Sequence, residues 1–133
     1  MADASELYDP LRRKNVARTP EEEVRQAVIA WLRDVQGFSE RLMESEYGFT
    51  YNRRRYRADI LVFNRRLEPH LLVECKAPSV KLDAKVVEQV VRYTRVLAVK
   101  YIMVTNGRST LLLRRSEGGA SFDYLSEMPD SLS

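Results

Sequence analysis

Two acids and an amine stand at the ends of two apolar stretches that follow one another in the chain. Asp59 begins the stretch that ends at Phe63, while Glu74 and Lys76 close the stretch that starts at His70. Because side chains alternate across a strand, Glu74 and Lys76 are expected on one face. Carboxylates are hard oxygen ligands of the kind that a magnesium-type cation prefers, and a neighbouring amine can orient or deprotonate water. The spacing therefore predicts the outline of a phosphodiesterase site.

The flanking sequence predicts the helices and strands that position these residues. Thr19, Pro20 and Glu22 supply a helix cap, a first-turn proline and a capping-box glutamate, and Gly37 marks the end of that helix. Strands are predicted at 45–51, 56–63 and 70–77, a second helix at 81–99, and further strands at 101–105, 110–113 and 122–125. This order of helix, three strands, helix and strand favours an α/β fold with a central mixed sheet flanked by helices.

Length and composition favour one domain. The 133 residues suit a single core, with residues 1–18 as a flexible arm, 19–125 as the domain and 126–133 as a tail. The chain has no apolar run long enough to span a membrane and no secretory signal, so we expect a cytoplasmic protein. The single cysteine, Cys75, excludes an internal disulfide and is expected to be a buried, reduced thiol.

Several kinds of catalytic site are excluded by residue counts. One histidine and one cysteine provide no zinc set and no histidine-based triad. The histidine, His70, follows Pro69 and is expected at the surface. The five glycines form no phosphate-binding loop, so we expect no nucleotide site.

Arginines are concentrated around the first of the two apolar stretches. The net charge is only +3, but six arginines lie within one short segment, at positions Arg53, Arg54, Arg55, Arg57, Arg65 and Arg66. Such clustering favours a phosphate-binding rim, with Arg53, Arg54, Arg55 and Arg57 as the DNA-binding candidates. The alternative is that these arginines only solvate a hairpin.

The acids and the lysine resemble the PD-(D/E)xK nuclease motif, with Ala58 where that family often has proline. The resemblance extends to the N-terminal nuclease region of type I restriction enzyme R proteins. Four blocks occur in the same order, namely 19–26, the two apolar strands, Gln89 with Tyr93, and 101–107. R proteins also carry a helicase motor, and no motor is expected within these 133 residues.

The resemblance implies a restriction-endonuclease-like core and a defined set of site residues. Asp59, Glu74 and the backbone oxygen of Cys75 would hold Mg²⁺, for which Mn²⁺ would substitute. Gln89 and Tyr93 are four residues apart on the second predicted helix and resemble the glutamine-x-x-x-tyrosine motif of RecB-like nucleases. That pair would border the metal site, although a structural role remains the alternative.

The resemblance also implies an outer acid on the first helix. Glu21 lies on the apolar stripe expected to face the sheet, so we assign it to this catalytic role. Glu22 is the alternative, but the reciprocal capping-box bond to Thr19 accounts for it better. Acids also favour the first turn of any helix electrostatically, which is the purely structural interpretation.

These observations favour a metal-dependent DNA endonuclease of the restriction type. One alternative is a non-cleaving nucleic-acid-binding or assembly module of the same fold, and another is a repair or junction-resolving nuclease. Double-strand cleavage by a single site would need a homodimer or separate restriction-system subunits. The apolar run at 110–113, with Phe122 and Tyr124, is the candidate dimer edge, and an internal closing strand is the alternative.

Overall fold

A six-stranded mixed β-sheet organises the chain in the computed structural model, which describes residues 4–119 and 121–126. The elements in chain order are β1 (Glu6–Asp9), β2 (Lys14–Ala17), α1 (Pro20–Asp34), a short 3-10 helix (Glu40–Leu42), β3 (Met43–Tyr51), β4 (Arg54–Phe63), β5 (Pro69–Cys75), α2 (Ala84–Tyr93), β6 (Tyr101–Thr105), β7 (Thr110–Arg115) and β8 (Phe122–Tyr124). Strands β3 to β8 are hydrogen-bonded in sequence order. Strands β5 and β6 are parallel and connected through α2, whereas the other neighbours are antiparallel.

The helices cover opposite faces of this sheet. On one face, Val28 and Leu32 of α1 pack with Ile60 and Val73 of the central strands. On the other face, Val90 of α2 joins the second apolar cluster. The predicted α/β fold with a mixed sheet between helices is therefore confirmed. Among the described residues, neither helix is long and apolar enough to cross a membrane.

The helix ends show where sequence signals succeed and fail. Thr19 caps α1 as predicted, because its hydroxyl accepts a 3.1 Å hydrogen bond from the Glu22 N–H. The reciprocal bond predicted for Glu22 is wrong, since the Thr19 N–H donates to the Ala17 carbonyl at 3.0 Å. Helix α2 is shorter than predicted and ends at Tyr93, where the Thr94 hydroxyl donates to a carbonyl of the last turn.

A β-hairpin lies within residues 1–18, the segment for which the sequence predicts a flexible arm. Strands β1 and β2 pair antiparallel, and Leu11 of their connecting loop packs against the core on the α1 face. Asp9 is fully buried and pairs with Arg12. Ion pairs of Arg12 hold much of this segment in place. Such contacts need no periodic pattern of apolar residues, so the sequence carries no signal for the hairpin. Residues 127–133 of the predicted tail lie outside the described residues.

The fold decides between the two alternatives for the run at 110–113 and contradicts the predicted surface position of His70. Strand β7 is internal, because it pairs with both β6 and β8, and Leu112 and Leu113 are buried. The run at 110–113 is therefore a closing strand of the sheet and not an open dimer edge. His70 is also buried, where it packs near the rings of Phe38 and Tyr101.

Candidate metal and catalytic site

The site begins where strands β4 and β5 separate. Their backbone pairing ends at Ile60 and Val73, so Asp59 lies just beyond the ladder. The Asp59 carboxylate connects the two strands beyond this point, because its Oδ2 accepts a 2.7 Å hydrogen bond from the Cys75 N–H. The acid is thereby anchored to the end of the neighbouring strand.

Glu74 and Lys76 lie beside this acid at the end of β5. The Lys76 Nζ is 3.5 Å from Glu74 Oε1, which places the two side chains on one face as predicted. The Glu74 carboxyl is close enough to Asp59 for a hydrogen bond between the two groups. The second oxygen, Glu74 Oε2, is buried, and among residues 4–119 and 121–126 no donor contacts it. Two acids facing each other in this way require a proton or a cation between them.

The pKa values of both acids reflect this crowding. Burial, together with repulsion from Asp59, raises the pKa of Glu74 to about 8. Burial also raises the pKa of Asp59, although its bond from the Cys75 N–H and the nearby Arg25 oppose the shift. Burial raises the pKa of the Cys75 thiol well above its usual value, so this thiol is neutral. Acids with such shifted pKa values often mark functional sites.

The residues present fit a hard divalent cation. Within the described part of the chain, no cluster of three or more histidine, cysteine, aspartate or glutamate side chains could hold a metal. Mg²⁺ does not need one, because it is commonly held by one or two carboxylates, with water and substrate phosphates completing its shell. Asp59 and Glu74 supply this donor set, and the buried oxygen of Glu74 that lacks a donor is available to a cation.

Helix α1 contributes a buried ion-pair chain that the sequence did not predict. Arg25 lies 2.8 Å from Glu22 and 3.5 Å from Asp59 Oδ1, and Arg12 also pairs with Glu22. Glu22 is buried, whereas Glu21 is exposed, so the expectation that Glu21 continues the buried stripe is wrong. The role of Glu21 as outer acid stays a prediction. The one sequence signal for Arg25 is its position between apolar residues of the α1 stripe.

Gln89 and Tyr93 are adjacent on α2 as their spacing predicts. Gln89 is exposed and lies one helical turn before Tyr93, which is buried. Burial raises the pKa of Tyr93, and the negative charge of Glu74 adds to the shift. The pair therefore borders the acidic site, on the side of α2.

The arginine cluster is divided by the fold into two groups. Arg53, Arg54 and Arg55 are exposed at the hairpin between β3 and β4, and Arg57 is exposed but 3.4 Å from Glu46. Arg65 and Arg66 follow the other end of β4, about 30 Å away at the usual rise per residue. The six arginines thus do not form one rim, and the first group lies at the end of the hairpin that carries Tyr51 and Tyr56.

The sequence of this chain matches a known protein family. Residues 20–129 match the model of a family described as type I restriction enzyme R protein N terminus (HSDR_N). The chain belongs to this family. No curated protein matches it.

One solved structure resembles this member of the R protein N-terminal family. It is described as a fragment of an HsdR subunit of a type I restriction enzyme from Vibrio vulnificus YJ016, and it is 21% identical with a TM-score of 0.49. The match covers 85% of this chain and 21% of that chain, so this chain spans about a fifth of the length of the solved fragment.

In this R protein N-terminal domain, three of the predicted site residues come together at one point. Asp59, Glu74 and Lys76 meet at the end of β5, and Gln89 with Tyr93 adjoins them. Cys75 is the last residue of that strand, which places its backbone beside the two acids.

Proposed function

We propose that this domain is the nuclease part of a type I restriction R protein and hydrolyses phosphodiester bonds in DNA with Mg²⁺, for which Mn²⁺ substitutes. The observation that carries the proposal is the pairing of two largely buried acids, Asp59 and Glu74, beside Lys76. Such a pair is electrostatically unfavourable unless it holds a proton or a cation. The pairing supports the PD-(D/E)xK motif proposed from the sequence.

The cation would be held by Asp59, Glu74 and the backbone oxygen of Cys75. A divalent cation there supplies charge neutralisation on the phosphoryl oxygens and on the leaving oxygen. The N–H of Cys75 holds the Asp59 carboxylate at 2.7 Å and so keeps one ligand oriented before substrate arrives. Preorganisation of this kind limits the reorganisation required during the reaction.

Lys76 would position the attacking water. Its amine lies 3.5 Å from Glu74 Oε1 and is partly exposed, at 30% of its side-chain area, so it can reach both the acid and solvent. An ammonium donates hydrogen bonds to a water or to a phosphoryl oxygen, and Glu74 holds it in place. Gln89 and Tyr93 would border the substrate on the α2 side.

One observation favours the alternative of a non-cleaving module. The Arg25 guanidinium lies 3.5 Å from Asp59 Oδ1 and is largely buried, so it competes with a metal for the charge of this acid. A domain in which the guanidinium replaced the cation would keep the fold and bind DNA without cutting it. The repair or junction-resolving alternative predicts instead that branched DNA is cleaved faster than linear DNA.

Cleavage assays distinguish these functions. The purified chain is incubated with linear, nicked, branched and single-stranded DNA, with Mg²⁺, Mn²⁺ or a chelator. The proposal expects metal-dependent cleavage that Lys76→Met reduces at least about a hundredfold, in the range for loss of one general acid–base or positioning group. The matched control is Lys81→Met, because Lys81 is an exposed lysine and is the next lysine after Lys76 in the chain. Metal-independent cleavage, or equal rates for both variants, would contradict the proposal.

DNA and other restriction-system subunits are the proposed partners. A single site cuts one strand, so double-strand cleavage would use a second copy or another subunit. Light scattering with and without DNA measures whether a homodimer forms. A monomer in both states would leave the separate subunits as the proposed partners.

A further inference from the structure

We propose that the cavity between the β3–β4 hairpin and helix α2 binds one unpaired DNA base. The proposed substrate is therefore DNA with a single-stranded segment next to the phosphate that is cut. This inference rests on the proposed nuclease function and adds a binding site to it.

Four aromatic rings form the base of this site. The Tyr93 ring centroid lies 5.0 Å from that of Phe49, 5.1 Å from that of Tyr56 and 6.5 Å from that of Tyr51. Phe49 and Tyr56 are stacked at 5.9 Å with an interplanar angle of 25°. Tyr51 and Tyr56 keep part of their surface exposed, so the cluster is not a closed core. Exposed aromatic faces are platforms on which nucleic-acid bases stack.

A cavity of about 420 Å³ opens onto these rings. Its walls are Tyr51, Tyr56, Lys85, Glu88, Gln89, Arg92 and Tyr93. The tyrosines provide flat apolar surface, while Glu88 and Gln89 provide an acceptor and an amide that can bond the polar edge of a base. Pockets that combine aromatic walls with a few polar groups are typical of small planar ligands.

The charge around the cavity favours a nucleotide over an uncharged planar ligand. Lys85 and Arg92 line it, and Arg95 Nη1 lies 3.5 Å from the Tyr51 hydroxyl. The exposed residues Arg53 and Arg54 lie at the turn of the same hairpin. A phosphate backbone that follows these cations places a base over the rings, as in single-strand-binding grooves.

The cavity adjoins the face of β5 that carries Glu74. The Tyr93 ring forms one wall of the cavity and packs in the same buried cluster as Leu72, and Glu74 follows Leu72 by two residues on β5, so it lies on the same face of the sheet. We therefore expect a base in the cavity to bring its own phosphates to the acidic site. In a fully paired duplex, each base is stacked on its neighbours and is not available to this cavity.

The hairpin that carries the platform has a fixed geometry. Asn52 and Arg53 join the paired residues Tyr51 and Arg54, and their φ angles are 51° and 65°. Two central residues with positive φ form the turn that matches the twist of paired strands. The platform is thus formed before DNA arrives, which lowers the entropic cost of binding.

Binding of fluorescently labelled oligonucleotides in metal-free buffer tests this inference without cleavage. We expect Tyr51→Leu to weaken binding of a single strand about tenfold, in the range for loss of one stacked base. Binding of a blunt duplex should change less than about twofold, because a paired base does not enter the cavity. Tyr51→Phe keeps the ring and should bind both DNAs like the wild type.

The matched control is Tyr124→Leu, which removes an exposed tyrosine from β8 at the far side of the sheet. It should leave both affinities unchanged. A 2-aminopurine base in the single strand should lose fluorescence on binding to the wild type and keep it with Tyr51→Leu. Circular dichroism of each variant establishes that the fold is retained.

The outcomes separate this inference from the proposed function. If Tyr51→Leu binds single strands like the wild type, or loses affinity for duplex equally, the base-binding cavity is wrong while DNA cleavage stands on its own assay. If the wild type binds neither DNA, both proposals are overturned.

Discussion

The backbone N–H of Cys75 donates a 2.7 Å hydrogen bond to Asp59 Oδ2 at the point where β4 and β5 separate. A side chain thus replaces the backbone partner that the next step of the ladder would have supplied. The strands can diverge without leaving the Cys75 N–H unpaired in a buried environment, where an unmade bond is costly. The same bond fixes the orientation of the acid that the metal would contact.

Because of this hydrogen bond, Asp59 has one role in metal binding and another in stability, and two substitutions can distinguish these roles. Asp59→Asn keeps an amide oxygen that can accept from Cys75 but removes the charge, so the variant should fold like the wild type and show no heat of Mn²⁺ binding. Asp59→Ala should also lose metal binding and, in addition, unfold more easily by roughly 1–3 kcal/mol, because a buried donor loses its acceptor. Calorimetric titration and urea unfolding measure the two effects.

Asp123→Asn is the control for this experiment, because Asp123 is an exposed acid on β8. It should bind Mn²⁺ like the wild type. Unchanged Mn²⁺ binding by Asp59→Asn would show that the metal lies elsewhere, and a wild type that gives no heat of binding would show that Mn²⁺ does not bind.

The hairpin arginines should determine how DNA binding depends on salt. Replacing Arg53, Arg54 and Arg55 by glutamine removes three exposed cations and should lower the slope of log affinity against log salt by up to about 2 for single-stranded DNA. Arg65→Gln with Arg66→Gln is the control, because these exposed arginines follow the far end of β4. Fluorescence anisotropy over a salt series gives the slopes, and equal slopes for both variants would exclude the hairpin as the phosphate contact.

Glu74 should make the metal-free domain less stable as the pH rises. Its pKa is raised from 4.5 to about 8 in the folded chain, so the folded state holds more protons than the unfolded state between these values. The free energy of unfolding therefore falls as the pH rises from about 4.5 through about 8. Glu74→Gln cannot ionise, so its stability relative to the wild type should increase over this window, by on the order of 2–4 kcal/mol.

Urea unfolding at about pH 5 and about pH 9, in a chelating buffer, tests this expectation. The variant and the wild type should differ least at the lower pH. A difference that does not depend on pH would mean that Glu74 is not the group responsible. Saturating Mn²⁺ should remove the fall in the wild-type free energy of unfolding at the higher pH, because a cation stabilises the ionised acids.

Strand pairing and local patterns account for what the sequence predicted well. The strand predicted at 101–105 is β6, and Asp59, Glu74 and Lys76 meet because their strands are neighbours in sequence and in the sheet. Helix α1 follows from its cap at Thr19 and from its apolar stripe. These features depend on residues close together in the chain, which is why spacing alone reveals them.

The wrong predictions involve contacts that leave no periodic signal. Leu97 and Val99 are buried in non-helical chain after α2. Their apolar character favoured a helix that extends to residue 99, but it reflects burial and not helical structure. Arg25 appeared to be an ordinary helix residue, yet its charge is buried against Glu22 and Asp59. Charged residues are usually exposed, and only tertiary structure reveals a buried pair.

The buried ion pairs of the N-terminal hairpin give the last prediction. Arg12 pairs with Asp9, which is fully buried, and with Glu22, whose side chain is 8% exposed. Arg12→Met keeps much of the side-chain volume but leaves Asp9 buried without this cation. Removing one partner of a buried pair commonly destabilises a protein by about 3–5 kcal/mol. A loss of that size would make the hairpin part of the cooperative fold and not a flexible arm.

Arg33→Met is the matched control, because Arg33 also pairs with two acids, Asp34 and Glu40, but in solvent. Exposed pairs contribute little, since water and salt screen them, so this variant should unfold near the wild-type urea concentration. The single tryptophan, Trp31, packs against the core on the α1 face and reports unfolding by fluorescence. If Arg12→Met and Arg33→Met have the same midpoint, the hairpin does not stabilise the domain, and residues 1–18 act as the arm that the sequence predicts.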